Sequence, residues 1–476
     1  MGVMLQAALA DELGQMLPET KYLLLRIVQR TEAGLSIPGP ARALANVVAL
    51  DERKVSKALQ ELLSAGILKS AAARKNAPGR PVARYTLAAA YRHGLRNRNV
   101  PMSVHIEAIE ELLKHERSRE MVLRDREPST KPYAVSSIEA ARARRATGQL
   151  TVVNRLVLVI LLSRADRFGR VCDIGRLELS RLTKISPVNL KNRIDTLIEA
   201  GLIRAYVPGG TGSLVIKKTS SVYYLNLNHP ELNLGSGPPT LLVSMARYID
   251  DYNIYSPADD AFIHANNGSF PSEYAEARRY FLSIHERRIG HVLQSNLDRY
   301  AGYLLSNHWD VELENACELE DLIIADLMER RQDESESSAM INQALLVKYL
   351  CAQAADVASR VKDAWFDKKE PKIQGFDFAS MDYVLLPLQK AKYARKTPFY
   401  PSRAVLALPR DVSTAKPGLY IAESVKVDYD SVRTDIRHVS DPESLPSEEQ
   451  GLYGLRTRPK MAVQVVPGEG FKWAKA

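Results

Sequence analysis

The sequence contains an internal repeat in which residues 135 positions apart correspond, so that Val55 aligns with Leu190. The segment from Val55 to Lys69 reads VSKALQELLSAGILK, and the segment from Leu190 to Arg204 reads LKNRIDTLIEAGLIR. Apolar residues fall at the same places in both segments, and each contains an Ala-Gly pair at the same position. A duplicated pattern of this length predicts two copies of one folding unit.

Each copy of the repeat predicts a helix with one apolar side. Leucine, isoleucine or valine recurs at intervals of four and three residues, which is the spacing of one helix face. We expect this helix at Asp51–Ala65 and at Ser186–Ala200, and the first residue of each range is a good N-terminal cap. Gly66 and Gly201 follow, where the left-handed backbone that ends a helix costs glycine little.

Two further helices are expected before this one in each copy. The shorter lies near Arg42–Val48 in the first copy and near Arg176–Thr183 in the second. The longer lies near Thr20–Thr31 and near Val152–Asp166. Each copy therefore begins with three helices.

After the third helix, each copy becomes extended around a turn rich in glycine and proline, which is typical of a β-ribbon. In the first copy the extended segments are Ile67–Ser70 and Val82–Leu87. In the second copy they are Leu202–Val207, Leu214–Lys218 and Ser221–Leu225. The order in each copy is three helices followed by a two-stranded wing.

This order of elements resembles the winged helix-turn-helix fold. The first copy, ARALANVVALDERKVSKALQELLSAGIL followed by GRPVARYTL, is similar to bacterial regulators of the MarR/GntR type. The second copy, GRLELSRLTKISPVNLKNRIDTLIEAGLI, resembles the modules of replication initiators. The resemblance covers residues 18–90 and 150–228. It implies a mainly α fold with small β wings, and double-stranded DNA as the partner.

In a winged helix the third helix enters the major groove, and its exposed side chains reach the bases. In the first copy we expect these contacts from Arg53, Lys54, Ser56, Lys57 and Gln60. In the second copy we expect them from Asn189, Lys191, Asn192 and Arg193. Arginine and lysine can donate to guanine, and asparagine can pair with adenine. The third helix of the first copy is thus the more cationic one, and the third helix of the second copy is rich in asparagine.

The wings add basic side chains of a second kind. The first wing carries Lys75, Arg80 and Arg84, and an arginine at a wing tip is suited to a narrow minor groove. The second wing carries Lys217 and Lys218, which are suited to phosphates. Phosphate contacts position a protein on the duplex without reading its sequence.

The charge distribution also favours a polyanionic partner. The 476 residues carry a net charge of +9, but residues 1–230 hold 36 Lys and Arg against 20 Asp and Glu. The remaining residues hold 29 basic and 36 acidic side chains. Such asymmetry between the two halves indicates that the first half meets a polyanion.

The rest of the chain is expected to contain a helical region and a β-containing region. Helices are predicted at 103–124, 240–253, 272–305, 313–331 and 339–366, and strands at 403–408, 419–427 and 461–466. The predicted organisation is an N-terminal helix (1–17), winged helix 1 (18–98), a connecting helix and linker (99–147), winged helix 2 (148–228), a helical domain (240–367) and an irregular α+β C-terminal region (372–476).

The sequence shows no motif that would indicate catalysis, a metal site or a cofactor. The three cysteines are scattered and form no Cys-X-X-Cys pair. The longest apolar run, Leu156–Leu162, is far shorter than the ~20 residues of a membrane-spanning helix. We therefore expect a cytoplasmic DNA-binding protein that is not an enzyme, has no cofactor and does not cross a membrane.

The predicted function is sequence-specific binding of double-stranded DNA by a transcriptional regulator of bacterial or mobile-element origin. Two alternatives stay open. One is a replication initiator of plasmid or phage type, and the other is an adaptor that anchors a larger protein complex to DNA. A homodimer formed through the C-terminal half would double the number of DNA contacts. The sequence does not indicate which small-molecule effector, if any, the protein binds.

Overall fold

A computed structural model describes most of the first half of the chain and parts of the second. The described residues are 2–37, 39–48, 50–73, 82–114, 150–209, 219–229, 232, 240–244, 276–277, 287–309, 317–327, 343–365, 377–386, 404–411, 418–428, 431–439, 445–446, 461–466 and 470–475. The chain divides into two compact units, residues 1–200 and 201–476. The division falls directly after the third helix of the second copy.

The described part of the first unit is mainly helical. Its helices are α1 (Val3–Leu9), α2 (Pro18–Glu32), α3 (Ala41–Val48), α4 (Glu52–Ser64), α5 (Ala89–Asn97), α6 (Ile106–Lys114), α7 (Val152–Leu162), α8 (Arg176–Thr183) and α9 (Pro187–Glu199). Its strands are β1 (Leu68–Ala73), β2 (Val82–Leu87) and β3 (Arg170–Val171). The predicted helix over 103–124 is present as α6, and its predicted part beyond Lys114 lies outside the described residues.

The helix boundaries of the two copies coincide at the offset of the sequence repeat. Helix α3 begins at Ala41 and α8 at Arg176, and both contain 8 residues. Helix α4 begins at Glu52 and α9 at Pro187, and both contain 13 residues. The helices predicted at these places are confirmed.

The ends of α4 and α9 follow the expected chemistry in all but one respect. A carboxylate oxygen of Asp51 accepts a hydrogen bond from the backbone N–H of Lys54 at 3.0 Å, as a cap should. Gly66 and Gly201 have φ angles of 68° and 78°, in the left-handed region. Ser186 is the N-cap residue of α9, as predicted, but its side chain makes no capping hydrogen bond. Pro187 has no N–H to satisfy and fixes the first turn without one.

The centre of the first unit is formed by α2 and α7, which contact each other. Leu23, Leu24 and Leu25 of α2 are fully buried, and so is the entire run from Leu156 to Leu162 in α7. A helix that is apolar on all sides needs neighbours on all sides. The first helices of the two copies, α2 and α7, are neighbours of this kind for each other. The two copies therefore pack together through their most apolar helices.

The C-terminal end of α6 is held by side chains from α2 and α7. The guanidinium of Arg26 donates to the carbonyl oxygen of Lys114 at 3.4 Å, and Gln29 Nε2 donates to the carbonyl oxygen of Glu110 at 2.8 Å. Arg155 of α7 donates to the carbonyl oxygen of Leu112 at 3.2 Å. These carbonyls form the negative end of the helix dipole, which stabilises the cationic side chains placed against it.

The first unit also contains the first β-ribbon. Strands β1 and β2 pair in antiparallel fashion, with Leu68 opposite Leu87 and Ala71 opposite Arg84. The ribbon predicted at this place is confirmed. The tip that joins the two strands, residues 74–81, lies outside the described part of the chain.

The described elements of the second unit include a five-stranded sheet. Its helices are α10 (Arg287–Asn307), α11 (Cys317–Asp326) and α12 (Gln343–Trp365). Its strands are β4 (Ile203–Val207), β5 (Val222–Leu225), β6 (Thr240–Ser244), β7 (Met381–Leu385), β8 (Ala404–Pro409), β9 (Leu419–Asp428), β10 (Ser431–Val439), β11 (Met461–Val466) and β12 (Gly470–Lys475). The sheet has the order β10-β9-β6-β8-β7, β4 pairs with β5, and β11 pairs with β12.

The expectation of a helix over 240–253 is wrong for its first five residues. Thr240–Ser244 forms β6, which lies between β8 and β9 and is parallel to β9. The short apolar run Thr-Leu-Leu-Val can form either a strand or a buried helix turn, and periodicity alone does not separate these. In the structure, this segment pairs with a neighbouring strand on each of its edges and is therefore a strand. Residues 245–253 lie outside the described range.

Helices α10 and α12 pack against each other, and α10 packs against β7. Apolar side chains such as Leu297, Leu304, Leu350 and Leu385 form the buried core between them. The described chain is therefore mainly helical with small sheets, as the sequence predicted. None of the described helices combines the length and the apolar character that a membrane-spanning helix needs.

Candidate nucleic-acid interface

The third helix of the first copy, α4, presents a polar face to solvent. Its opposite face is closed by the buried side chains of Val55, Ala58, Leu59 and Leu62. The predicted contact residues are all exposed: Arg53, Lys54, Ser56, Lys57 and Gln60. Since these side chains contribute nothing to the core, the helix keeps a row of hydrogen-bond donors available for an outside partner.

One of these cations is engaged within the protein. Lys54 Nζ lies 2.8 Å from Oε1 of Glu19 on α2, and the Lys54 side chain is still half exposed. Within the described part of the chain, the side chains of Arg53 and Lys57 form no hydrogen bond and no ion pair. These two side chains are the ones on α4 that are available to carry positive charge toward a polyanion.

A carboxylate that is not among the predicted contact residues links α2 and α4. Glu61 Oε2 accepts hydrogen bonds from the Thr20 hydroxyl at 2.6 Å and from the Leu17 backbone N–H at 3.2 Å. Leu17 is the N-cap residue of α2, so this carboxylate stands in for a missing side-chain cap. It ties the last turn of α4 to the first turn of α2 and holds the exposed face in place.

Three further exposed arginines extend the positive charge of the first copy. Arg42 lies in the first turn of α3, and Arg92 and Arg96 lie four residues apart on α5. Side chains four residues apart share one face of a helix. None of the three is among the contact residues predicted from the sequence, and a single arginine in an apolar helix, such as Arg42, carries no pattern.

The first wing is described along its strands. Arg84 lies on β2 and is exposed, as is Lys69 on the paired strand β1. The predicted wing residues Lys75 and Arg80 lie outside the described residues. The described strands therefore place one of the three predicted wing cations on the surface.

The third helix of the second copy, α9, exposes three of its four predicted contact residues. Asn189, Lys191 and Asn192 are exposed, and Leu190, Ile194 and Leu197 are buried on the opposite face. Lys217 and Lys218 of the second wing lie outside the described range. The exposed face of α9 is thus richer in amide groups than that of α4.

Arg193 differs from the expectation of a fully exposed side chain. It is half buried, and its guanidinium Nη1 lies 3.5 Å from Oδ1 of Asn154 on α7. Its counterpart in the first copy is Ala58, which is 1% exposed. The position therefore faces the protein in both copies, and the long arginine side chain reaches out along the edge of α7.

The second copy also exposes two large apolar side chains that the sequence analysis did not remark. Leu177 is 72% exposed and Val188 is 75% exposed. Each is the second residue of its helix, α8 for Leu177 and α9 for Val188. Both lie off the apolar face of their helix, so the core of the second copy does not account for their apolar character.

No arrangement suited to a metal ion accompanies these faces. In the ranges that the structure describes, no group of three or more His, Cys, Asp or Glu side chains is placed to hold one. The chain matches no protein-family model, no curated protein and no solved structure. The chemistry of the exposed helix faces is therefore the basis on which a function can be proposed.

Proposed function

We propose that this protein binds double-stranded DNA sequence-specifically through two winged helix-turn-helix modules, and that it acts as a transcriptional regulator. The observation that carries the proposal is the exposed face of α4, where Arg53 and Lys57 project from a helix whose other side is buried. The repetition of the same helix boundaries in the second copy supports a second recognition helix, α9.

The exposed groups of α4 match the chemistry of the major groove. An arginine donates two hydrogen bonds to O6 and N7 of guanine, and a glutamine pairs in the same way with adenine. Arg53 lies in the first turn of α4, and the N-terminal part of a recognition helix is the part that reaches base edges. Gln60 lies two turns further along and is suited to a base or a phosphate at the edge of the groove.

Cations beside the recognition helix would position the protein on the duplex. Arg42, Arg92, Arg96 and Arg84 are exposed on α3, α5 and β2. Contacts from such side chains to phosphates raise affinity for any sequence and make binding sensitive to salt. Two modules in one chain would bind adjacent sites more tightly than either alone, because the second contact is intramolecular.

The proposal is tested by selecting binding sites for the full-length protein from a random duplex library. The affinity of the selected site is then compared with that of a scrambled duplex by fluorescence anisotropy. We expect Arg53→Ala or Lys57→Ala to weaken binding to the selected site by about 1–3 kcal/mol each while changing scrambled-duplex binding less. Lys114→Ala is the matched control, because this exposed lysine lies on α6 and pairs with Glu111.

The same site separates the regulatory role from replication initiation. If the protein is a regulator, permanganate will find no unpaired thymines in the bound site. Strand opening at repeated elements would favour an initiator instead. Failure of any duplex to be enriched, or equal loss of specific and scrambled binding in the α4 variants, would overturn sequence-specific recognition.

A further inference from the structure

The two copies differ sharply at two corresponding surface positions. Leu177 and Val188 are the most exposed large apolar side chains in the described chain, at 72% and 75%. At the offset of the repeat their counterparts are Arg42 and Arg53, both exposed. One copy thus carries guanidinium groups where the other carries aliphatic groups.

This difference is confined to the solvent side of the helices. Buried apolar positions such as Val55 and Leu190, or Leu59 and Ile194, keep their apolar character in both copies, whereas the buried Ala58 corresponds to the half-buried Arg193. An exposed leucine or valine contributes no burial to the fold. The aliphatic groups are therefore not explained by the core of the second copy, and their chemistry points outward.

The exposed side chains beside the two aliphatic groups include cations and amides, and the carboxylate of Glu178, which follows Leu177, lies 3.7 Å from a guanidinium nitrogen of Arg164. Exposed Arg176 precedes Leu177 directly, and exposed Lys191 lies three residues after Val188 on the same helix face. Asn189 and Asn192 are exposed on the same helix. A second copy of this chain is a poor occupant, because the cations of the two copies would face each other.

A partner that is anionic but also presents methyl groups and adenine edges fits this surface. Duplex DNA rich in A·T pairs has these features, because the thymine C5-methyl group lies in the major groove beside the adenine donor and acceptor pair. We propose that the second copy reads A·T pairs, with Val188 against a thymine methyl group and Asn189 or Asn192 on adenine, while the first copy reads guanine through Arg53. This proposal rests on the proposed function and adds the base composition of each half of the site.

The test begins with the site selected by the wild-type protein, in which one part should contain guanine and the other should be A·T-rich. Val188→Arg gives the second copy the arginine of the first, and a repeated selection should replace a T·A pair by G·C in the A·T-rich part alone. Arg53→Val is the reciprocal variant and should remove guanine from the other part. Ile324→Arg is a matched control, because Ile324 is a 47% exposed apolar residue on α11.

A second measurement addresses the methyl group directly. Replacing the contacted thymine by uracil removes only the C5-methyl group, and we expect wild-type affinity to fall about fourfold, the effect of exposing one buried methyl group. The Val188→Ala variant should bind both duplexes with similar affinity. Because residue 188 is exposed, Val188→Arg and Val188→Ala should both retain the circular dichroism spectrum of the wild type.

The outcomes separate the inference from the function on which it rests. If a site is selected but its second part is unaffected by Val188→Arg and by uracil, the reading of A·T pairs is overturned and DNA binding stands. If no site is enriched, the reading of A·T pairs and sequence-specific DNA binding are both overturned. If Val188→Arg lowers the sedimentation coefficient of the DNA-free protein, the apolar pair joins two copies of the chain, and the inference is likewise overturned.

Discussion

Lys54 on α4 and Glu19 on α2 form an ion pair, with Nζ of the lysine 2.8 Å from Oε1 of the glutamate. The counterpart of Glu19 in the second copy is Asn154, which lies 3.5 Å from a guanidinium nitrogen of Arg193. In both copies, the same position on the first helix therefore holds a basic side chain of the third helix. A carboxylate at that position competes with any phosphate for the lysine, whereas an amide carries no charge.

Substituting Glu19→Gln should strengthen binding of the first module to DNA. The change removes the competing carboxylate but keeps the shape of the side chain, and exposed ion pairs of this kind contribute about 0.2–1 kcal/mol. We expect affinity for duplex DNA to rise by up to about fivefold at low salt, measured by anisotropy titration. Glu111→Gln breaks the Lys114 ion pair on α6 and should leave affinity unchanged. Unchanged affinity in Glu19→Gln would show that Lys54 does not contact the DNA, and weaker binding would likewise contradict the expected gain.

Alanine substitutions in the first wing should reduce the salt dependence of DNA binding. If Arg84 on β2 and Arg80 at the predicted tip contact phosphates, each loss should lower the slope of log affinity against log salt by about 0.9. Titrations between low and moderate salt measure that slope. Lys348→Ala removes an exposed lysine from α12 and serves as the control. An unchanged slope in both wing variants would show that the wing does not contact the DNA.

The caps of the two third helices offer a matched comparison of stability. Asp51→Ala removes a hydrogen bond to the backbone N–H of Lys54, and we expect it to lower the free energy of unfolding by about 1 kcal/mol. Ser186→Ala removes a hydroxyl that makes no capping bond, and we expect a change below about 0.5 kcal/mol. Urea denaturation followed by circular dichroism measures both. Equal losses would contradict the difference between the two caps.

A buried lysine should make the first unit more stable as pH rises above neutrality. Lys21 Nζ donates to the carbonyl oxygens of Ala8 at 2.6 Å and Asp11 at 2.5 Å, and burial lowers its pKa to about 7. The Asp11 charge opposes this shift, and Lys184 and Arg98 reinforce it.

Between about pH 7 and the ordinary lysine pKa of about 10.5, the unfolded chain binds a proton at this residue that the folded chain does not. The free energy of unfolding should therefore rise across this window by up to about 1.4 kcal/mol per pH unit. Urea denaturation midpoints at pH 7, 8 and 9 measure the rise in the free energy of unfolding. The Lys21→Met variant should not show this rise, whereas the control variant Lys57→Met should show it. A parallel profile for wild type and Lys21→Met would show that Lys21 stays protonated when folded.

The sequence by itself was sufficient to predict the local structure of the repeat. The cap at Asp51, the left-handed Gly66 and Gly201, and the apolar faces of α4 and α9 depend on neighbours within a few residues, so the pattern of residue types fixes them. The exposure of Arg53 and Lys57 follows from the same periodicity. These features would be readable from any isolated copy of the segment.

The tertiary structure decided what depends on residues far apart in the chain. The pairing of Lys54 with Glu19, the partial burial of Arg193 and the formation of a strand at Thr240–Ser244 all involve partners at least 35 residues away. Periodicity records whether a side chain is apolar, but contact and exposure depend on which distant element packs beside it. Leu177 and Val188 are apolar residues that the apolar spacing leaves off the buried faces of their helices, and the folded chain shows that no described element covers them.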